Sequence, residues 1–227
     1  MASQKTKLWE RYDKRFLAVA TAALAALLYC SWPLAFWLNP VVGRRDLASQ
    51  LEAPHQPYDW LFILLDVASG VTLVAVSLLQ YRAAAPKRIK LSILSYGIFG
   101  ALVAAAALVP LHCDPTVQQC GPLLHNPLII AHGIFSIVSV LALFGGTVLI
   151  AWAAYMHEAT RRTWHRVTPI LLTCWLVFGL GAVIEMLLHI KNNLLQDFFI
   201  TVCSLSVIMV VVYVERLSAL LLEVFEK

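Results

Sequence analysis

Two acidic side chains lie inside long apolar stretches of this sequence, where solvent cannot easily reach them. Asp66 follows the run Trp60–Leu65, and Glu185 is flanked by Val183–Ile184 and by Met186–Leu188. An ionised group at the middle of a membrane helix costs about 2.5–3.5 kcal/mol, so such a group needs a partner or a function. We therefore predict that Asp66 and Glu185 are the catalytic or ligand-handling carboxylates of the protein.

Histidines extend this pair toward a metal site. Glu185 and His189 are four residues apart, so on a helix they lie on one face about 6 Å apart. Together with His132, and with His112 or Asp66, they would form a three- or four-ligand set suited to zinc. A histidine near a carboxylate is also common in hydrogen-bonded packing pairs, so zinc remains one of two interpretations.

Further polar residues are predicted to line a ligand pocket. Ser69 shares a helix face with Asp66, and His132 lies about one turn into its own apolar segment. His112 follows another apolar segment directly. We predict ligand-binding roles for His132, Ser69 and His112, and convergence of Asp66, His132, Glu185 and His189 in one cavity.

The segments that carry these residues determine the class of protein. Of 227 residues, 60% are hydrophobic and 13% are charged, whereas soluble domains are roughly 45–50% apolar and about 25% charged. This composition excludes coiled coils, disordered tails and disulfide-rich secreted domains. Apolar runs of about 20 residues predict an all-α, polytopic transmembrane bundle that forms one domain over residues 1–227. Its six spans are expected at about 16–38, 60–81, 89–111, 128–153, 167–190 and 197–215.

The placement of basic residues predicts the orientation. Fourteen of the 17 Lys and Arg residues fall in the N-terminal segment, the second and fourth connections and the C-terminal tail. The positive-inside rule then places both termini in the cytoplasm, as an even number of spans requires. The same basic stretches suit anionic lipid headgroups, so we predict no nucleic-acid partner.

The connections on the other side carry two features of interest. Cys113 and Cys120 share a loop without Lys or Arg, which suits a disulfide in an oxidising compartment, or else two free thiols or metal ligands. The longest connection, Asn39–Asp59, either folds over the polar cluster as a lid or is a plain surface loop. The remaining cysteines lie inside spans and are expected to act as small buried hydrophobes.

Small residues at helical spacing predict where helices approach closely. Ala18, Ala22 and Ala26 recur in the first span, and Gly97, Ala101 and Ala105 recur in the third. Walker, dinucleotide-binding, Gly-x-Ser-x-Gly and His-Glu-x-x-His motifs are all absent from the sequence. Nucleotide-driven transport and the familiar hydrolase motifs are therefore unsupported.

Around the third connection the sequence resembles a known family. The run Leu108–Pro115, the nearby Cys120 and His132 at the start of a helix are similar to the Domain of Unknown Function 998 family. These are six-helix bacterial membrane proteins with no assigned reaction. The resemblance covers nearly the whole chain and implies a six-helix fold in the bacterial cytoplasmic membrane.

A more distant likeness is to the alkaline-ceramidase and progestin-receptor-like membrane hydrolases, whose zinc site uses an Asp, a His and a late His-x-x-x-His pair. His112, Asp66 and the Glu185/His189 pair stand in analogous places. The sequence departs from that group in having six expected spans instead of seven, and Glu185 where a histidine is expected. This likeness implies zinc and hydrolysis of a membrane lipid.

The leading functional hypothesis is a membrane protein with a polar pocket open to the outer leaflet that binds a lipid or a small amphipathic ligand. One alternative is a metal-dependent lipid hydrolase. Another is a proton-coupled carrier in which Asp66 and Glu185 exchange protons. The third is a structural or assembly subunit. The expected partners are membrane lipids, with a second copy of the chain or another membrane protein.

Overall fold

The fold was analysed in a computed structural model. It describes residues 2–40, 48–83, 87–109, 111, 126–156, 158–187 and 194–225. Side chains are described in these ranges except at 2–15, 83, 158–166, 182, 185–187 and 217–225. The predicted sites at His112, Cys113, Cys120 and His189 lie outside the described residues, as does the side chain of Glu185.

The described residues form seven α-helices and one short 3₁₀ helix, with no β-strand among them. The helices are α1 (Ala2–Tyr29), α2 (Trp32–Leu38), α3 (Asp59–Ala83), α4 (Lys87–Leu108), α5 (Pro127–Met156), α6 (Glu158–Leu187) and α7 (Leu194–Phe225). The 3₁₀ helix, Ala48–Glu52, lies between α2 and α3. The predicted all-α class is confirmed for this part of the chain.

Within the described ranges, four helices are long and apolar enough to cross a bilayer, and a bent pair makes a fifth. The four segments are Asp59–Arg82, Lys87–Leu108, Pro127–Met156 and Leu194–Arg216. The predicted fifth span falls in α6, whose apolar stretch is the shorter Val167–Gly181. Helices of this length and composition are typical of a multi-pass membrane protein.

The predicted first span is broken where the sequence analysis expected one continuous helix. Phe16–Tyr29 and Trp32–Leu38 meet at an angle of 44°. Pro33 lies in the first turn of α2. Pro33 has no N–H to donate to the Tyr29 carbonyl and its ring would clash with that carbonyl, so α1 does not continue past Tyr29 and a new helix begins at Trp32. Trp32 Nε1 donates a hydrogen bond to Thr201 Oγ1 at 3.2 Å, which ties the start of α2 to α7.

Helix α4 lies at the centre of the bundle, packed against α3 on one side and α5 on the other. Helices α1 and α7 pack against each other and complete the core, to which α4 contributes the fully buried Tyr96 and Phe99. One face of α3 is exposed: its residues Leu64, Val71 and Leu78 recur every seven positions and are each more than half exposed. An apolar stripe of this kind suits contact with lipid tails.

Helices α3 and α4 are in backbone contact because glycines face each other. A methyl group on Gly70 would overlap the Gly100 carbonyl oxygen and Ala104, and one on Gly97 would overlap Ser77. The predicted face of small residues on α4 is therefore correct at Gly97 but wrong at Ala101, which is exposed. The packed face of α4 follows residues 97, 100 and 104, a helical i, i+3, i+7 pattern.

Candidate functional site

Asp66 lies on the inward side of α3, where its carboxyl is hydrogen-bonded to the carboxyl of Glu52. Glu52 ends the 3₁₀ helix of the preceding connection and is only 5% exposed. Two carboxyl groups hydrogen-bond to each other only when at least one holds a proton, because ionised carboxylates only accept. The partner that the sequence analysis required for Asp66 therefore comes from a loop.

The segment that carries Glu52, which we name loop 48–58, is packed down onto the bundle. Leu51 is 3% exposed and packs with Ala35 of α2 and Phe62 of α3. Ala53, directly after Glu52, has no exposed surface. The described part of this connection is therefore packed against α2 and α3, and its role as a lid stays a prediction.

Hydrogen bonds attach loop 48–58 at both of its ends. The Ala48 backbone N–H donates to Gln196 Oε1 at 2.9 Å, which joins the loop to the first turn of α7. Asn39 Nδ2 donates to Gln56 Oε1 at 2.7 Å, and both of these side chains are buried. Buried polar groups ordinarily form such bonds, since an unpaired one is costly. The loop is thus held by the Ala48 backbone and by the Gln56 side chain as well as by Glu52.

The end of the loop has an uncommon backbone conformation. His55 and Tyr58 have φ angles of 72° and 62°, in the left-handed region that residues other than glycine rarely adopt. Such conformations cost free energy and persist where the surrounding contacts impose them. The loop therefore turns sharply before α3 begins at Asp59.

Tyr29 extends the carboxyl pair toward α1. Its hydroxyl lies within electrostatic range of Asp66 and Glu52, and of the thiols of Cys30 and Cys203. Its ring packs edge-on against Phe99 of α4, with ring centroids 5.3 Å apart. Tyr29 therefore lies between the carboxyl pair, with which its hydroxyl interacts electrostatically, and the Phe99 ring of the core.

The electrostatic environment of Glu52 differs from that of an ordinary loop glutamate. Burial raises the pKa of its carboxyl from 4.5 to about 7, while the hydrogen bond with Asp66 lowers it. Burial is the larger cause because a buried carboxylate loses its hydration. In the described part of the chain no Lys, Arg or His acts on either carboxyl.

Ser69 is fully buried one turn along α3 from Asp66. Its Oγ donates a hydrogen bond to the Ala25 carbonyl oxygen at 2.8 Å. The hydroxyl therefore joins α3 to α1 just beside the carboxyl pair, which is a positioning contact. The predicted ligand-binding role of Ser69 stays a prediction.

His132 is buried on α5, where its Nδ1 lies 3.0 Å from the carbonyl oxygens of both Ala106 and Val109. A carbonyl oxygen only accepts, so Nδ1 carries the hydrogen and donates to this pair. The last carbonyls of a helix lack partners within the helix. His132 contacts the Val109 carbonyl just beyond the end of α4, and it shares the Ala106 carbonyl with the Val109 N–H. The predicted ligand or metal role of His132 stays untested.

Only some of the predicted zinc ligands lie among the described residues. His112 and His189 lie outside the described residues, and of Glu185 only the backbone in α6 is described. Among the described residues, no group of three or more His, Cys, Asp or Glu side chains is arranged to hold a metal ion. The convergence of Glu185 and His189 with Asp66 therefore stays a prediction.

Of the three cysteines predicted to be small buried hydrophobes, all are described and one is fully buried. Cys203 is buried, and Cys30 and Cys174 are partly buried, all with free thiols. The predicted Cys113–Cys120 disulfide lies outside the described residues and stays a prediction.

A second buried polar group, at the other end of α3, was missed in the sequence analysis. The Tyr96 hydroxyl donates to Gln80 Oε1, and Gln80 Nε2 donates to Glu215 Oε1 at 2.8 Å. Tyr96 and Gln80 are almost completely buried. This chain of hydrogen bonds joins α4, α3 and α7. Gln80 precedes the basic connection and looked like a helix-end residue, so no sequence pattern marked it.

The apolar helices, their lipid-facing stripes and the buried polar contacts define a multi-pass helical membrane protein. The model of the family described as Protein of unknown function (DUF998) matches residues 18–218. The chain belongs to this family, which confirms the resemblance seen around the third connection. No match was found among curated proteins or among solved structures. The likeness to the ceramidase-like hydrolases has no support from these comparisons.

Proposed function

We propose that this protein binds a lipid or a small amphipathic ligand at a polar site on the outer side of the cell membrane. In this proposal the chain has six spans, with α6 as the fifth, and both termini are cytoplasmic. The site consists of Asp66, Glu52 and Tyr29, and loop 48–58 covers it. The observation that carries the proposal is the buried Glu52–Asp66 carboxyl pair.

The chemistry of this place suits an amphipathic molecule. The carboxyls and the Tyr29 hydroxyl offer donors and acceptors to a polar head, and the buried rings of Phe62 and Phe99 make the region beside them apolar. Ligand sites are commonly apolar cavities with a few convergent polar groups. Ionisable groups within a membrane protein commonly mark substrate or proton pathways.

A proton-coupled carrier is the second candidate, and one observation favours it. The hydrogen bond between Glu52 and Asp66 requires a bound proton. A carboxyl pair that holds one proton can release it when a ligand binds or when the site becomes open to water. In the sequence-based version of this hypothesis Glu185 was the second carboxylate; here Glu52 takes that place.

The test is retention of bound molecules by the purified, full-length protein. Native mass spectrometry in a mild detergent would detect phospholipids or other small molecules that remain bound. The matched control is Asp59→Asn, because Asp59 begins the same helix and its carboxylate accepts a hydrogen bond from the adjacent Trp60 N–H. We expect wild type and D59N to retain the ligand and Asp66→Asn to lose at least about tenfold of its occupancy, as loss of a charged hydrogen bond predicts. Equal retention by D66N would contradict the proposal.

A further inference from the structure

The end of the bundle where α3 is followed by α4 carries a concentrated positive charge. Residues 82–90 include the basic side chains Arg82, Lys87, Arg88 and Lys90, and no acidic residue lies among them in the sequence. The first three are exposed, and Lys90 is partly exposed. At about 1.5 Å per residue, Arg82 lies about 24 Å further along α3 than Asp66. This basic end is therefore separate from the site proposed above.

Two of these cations are held on aromatic rings of the neighbouring helices. The guanidinium carbon of Arg88 lies 4.1 Å from the centre of the Trp152 ring on α5, and Lys90 Nζ lies 5.3 Å from the centre of the Tyr81 ring on α3. Both distances are within the range of about 6 Å for cation–π contact. Both rings are more than two-fifths exposed, and such Trp and Tyr rings concentrate at the level of the lipid headgroups. The two charges are therefore held at that level, one on each side of α4.

Next to these charges, α4 has a narrow apolar surface that we name the α4 strip, formed by Leu91, Leu94 and Ile98. Each of these side chains is between two-fifths and one half exposed. Lys87 precedes them on the same helix face, in an i, i+4, i+7, i+11 pattern. The strip therefore has a positively charged end and an apolar body, as the surface that receives a phospholipid requires.

We propose that the α4 strip binds one anionic phospholipid, whose phosphate contacts Lys87, Arg88 and Lys90 and whose acyl chains lie along the strip. Because the Arg88 guanidinium is stacked on its flat face, its edge N–H groups are directed outward, where they match two oxygens of one phosphate. The two lysines add positive charge without a fixed geometry. This second site goes beyond the proposed function and does not depend on it.

Charge complementarity identifies the class of lipid. Basic clusters next to membrane spans attract anionic lipids, whereas the amine of a zwitterionic lipid offsets the charge of its phosphate. One acid described at this end of the bundle, Glu215 of α7, accepts a hydrogen bond at 2.8 Å from Gln80, whose side chain is buried. That carboxylate is thus bound on the inner side of α3, whereas Lys87 and Arg88 are exposed. The basic end therefore favours an anionic headgroup over a zwitterionic one.

Native mass spectrometry of the purified, delipidated, full-length protein tests this site. The protein is mixed with equal amounts of phosphatidylglycerol, which is anionic, and phosphatidylethanolamine, which is zwitterionic, both with the same acyl chains. The measured quantity is the ratio of the two bound lipids. We expect phosphatidylglycerol to exceed phosphatidylethanolamine at least about fivefold in the wild type. In Arg88→Gln the ratio should fall about fivefold, the change that one basic residue near an anionic headgroup supplies.

Lys87→Gln should lower the ratio in the same direction, and it provides the test if R88Q does not fold, because Lys87 is exposed. The matched control is Arg216→Gln. Arg216 is an exposed arginine of α7, so its loss changes the net charge by the same amount. R216Q should keep the wild-type ratio. A wild-type ratio near one, or an equal fall in R88Q and R216Q, would overturn the proposal.

The comparison also separates this site from the proposed function. All of these variants keep Asp66, so a lipid held beside the carboxyl pair contributes equally to every sample and cancels from the comparison. A ratio that depends on Arg88 therefore stands even if Asp66→Asn retains its ligand. Conversely, loss of a ligand in D66N leaves the lipid-binding strip to be decided by R88Q alone.

Discussion

The backbones of Gly70 and Gly100 are in direct contact where α3 crosses α4, and neither glycine leaves room for a methyl group. Such contacts are the main source of helix association in lipid, where apolar burial gives little driving force. The crossing lies one turn along α3 from Asp66, so it also determines where that carboxyl is held.

Gly70→Ala should lower stability markedly. The added Cβ would meet the Gly100 carbonyl oxygen and Ala104, which are backbone and rigid side chain. Overpacking of this kind costs about 1–3 kcal/mol. Thermal unfolding of the detergent-solubilised protein, followed by a thiol-reactive dye or by loss of the monodisperse peak, measures the change. Gly145→Ala is the control, since its Cβ would meet nothing within 4 Å. Equal melting temperatures for the two variants would refute the close crossing.

His132→Ala should destabilise the bundle by removing the hydrogen bond that Nδ1 donates to the Ala106 and Val109 carbonyls, of which Ala106 keeps the Val109 N–H. Loss of a buried hydrogen-bond partner costs about 1–3 kcal/mol. In His132→Asn the side-chain amide nitrogen occupies nearly the place of Nδ1, so H132N should retain most of the stability. Elemental analysis of the same preparations distinguishes the zinc hypothesis. If wild type holds zinc that H132A and H132N both lose, His132 is a ligand and more than a cap.

Tyr96→Phe should lower stability by about 1 kcal/mol, since it removes one buried hydrogen bond and leaves Gln80 Oε1 without its donor. Tyr81→Phe is the matched control. It removes the same hydroxyl from a ring that is 42% exposed and that keeps its contact with Lys90. Thermal unfolding of both variants decides the question. A Y81F effect as large as that of Y96F would show that the Tyr96–Gln80–Glu215 chain contributes nothing specific.

The orientation can be tested by single-cysteine labelling with a membrane-impermeant thiol reagent. In a background in which all native cysteines are serine, a cysteine at Gln118 should react from outside intact cells. A cysteine at Arg162 should react only after the membrane is opened. The reason is the excess of Lys and Arg in the connections assigned to the cytoplasm. External labelling at Arg162 would reverse the topology and the outer placement of the site.

The class could be predicted from the sequence because it depends on long-range composition, and the family was indicated by its resemblance around Leu108–Pro115. Apolar stretches of span length and their separation by basic connections are visible without coordinates. The break in the first span was also visible in principle, since Pro33 stands within it. The packed face of α4 was misjudged by one position, because Gly97 fits two small-residue patterns and only packing against α3 decides between them.

Of the carboxyl pair at the candidate site, the sequence indicated Asp66 but not its partner Glu52. The cost of a carboxyl inside a helix bundle correctly predicted that Asp66 needs a partner. The identity of that partner could not be predicted, because Glu52 lies in a connection without hydrophobic periodicity, where a glutamate is ordinarily solvated. Similarly, nothing in the sequence indicates that His132 reaches the end of a helix more than twenty residues earlier.

The break between α1 and α2 also determines how much of the hydrocarbon layer the first span covers. A straight helix over residues 16–38 would be about 35 Å long, longer than a typical hydrocarbon thickness of about 30 Å. With α2 turned by 44°, its seven residues advance only about 7–8 Å along the axis of α1, and the whole segment covers about 31 Å. The bend therefore removes the hydrophobic mismatch that this stretch would otherwise relieve by tilting the helix or thickening the bilayer.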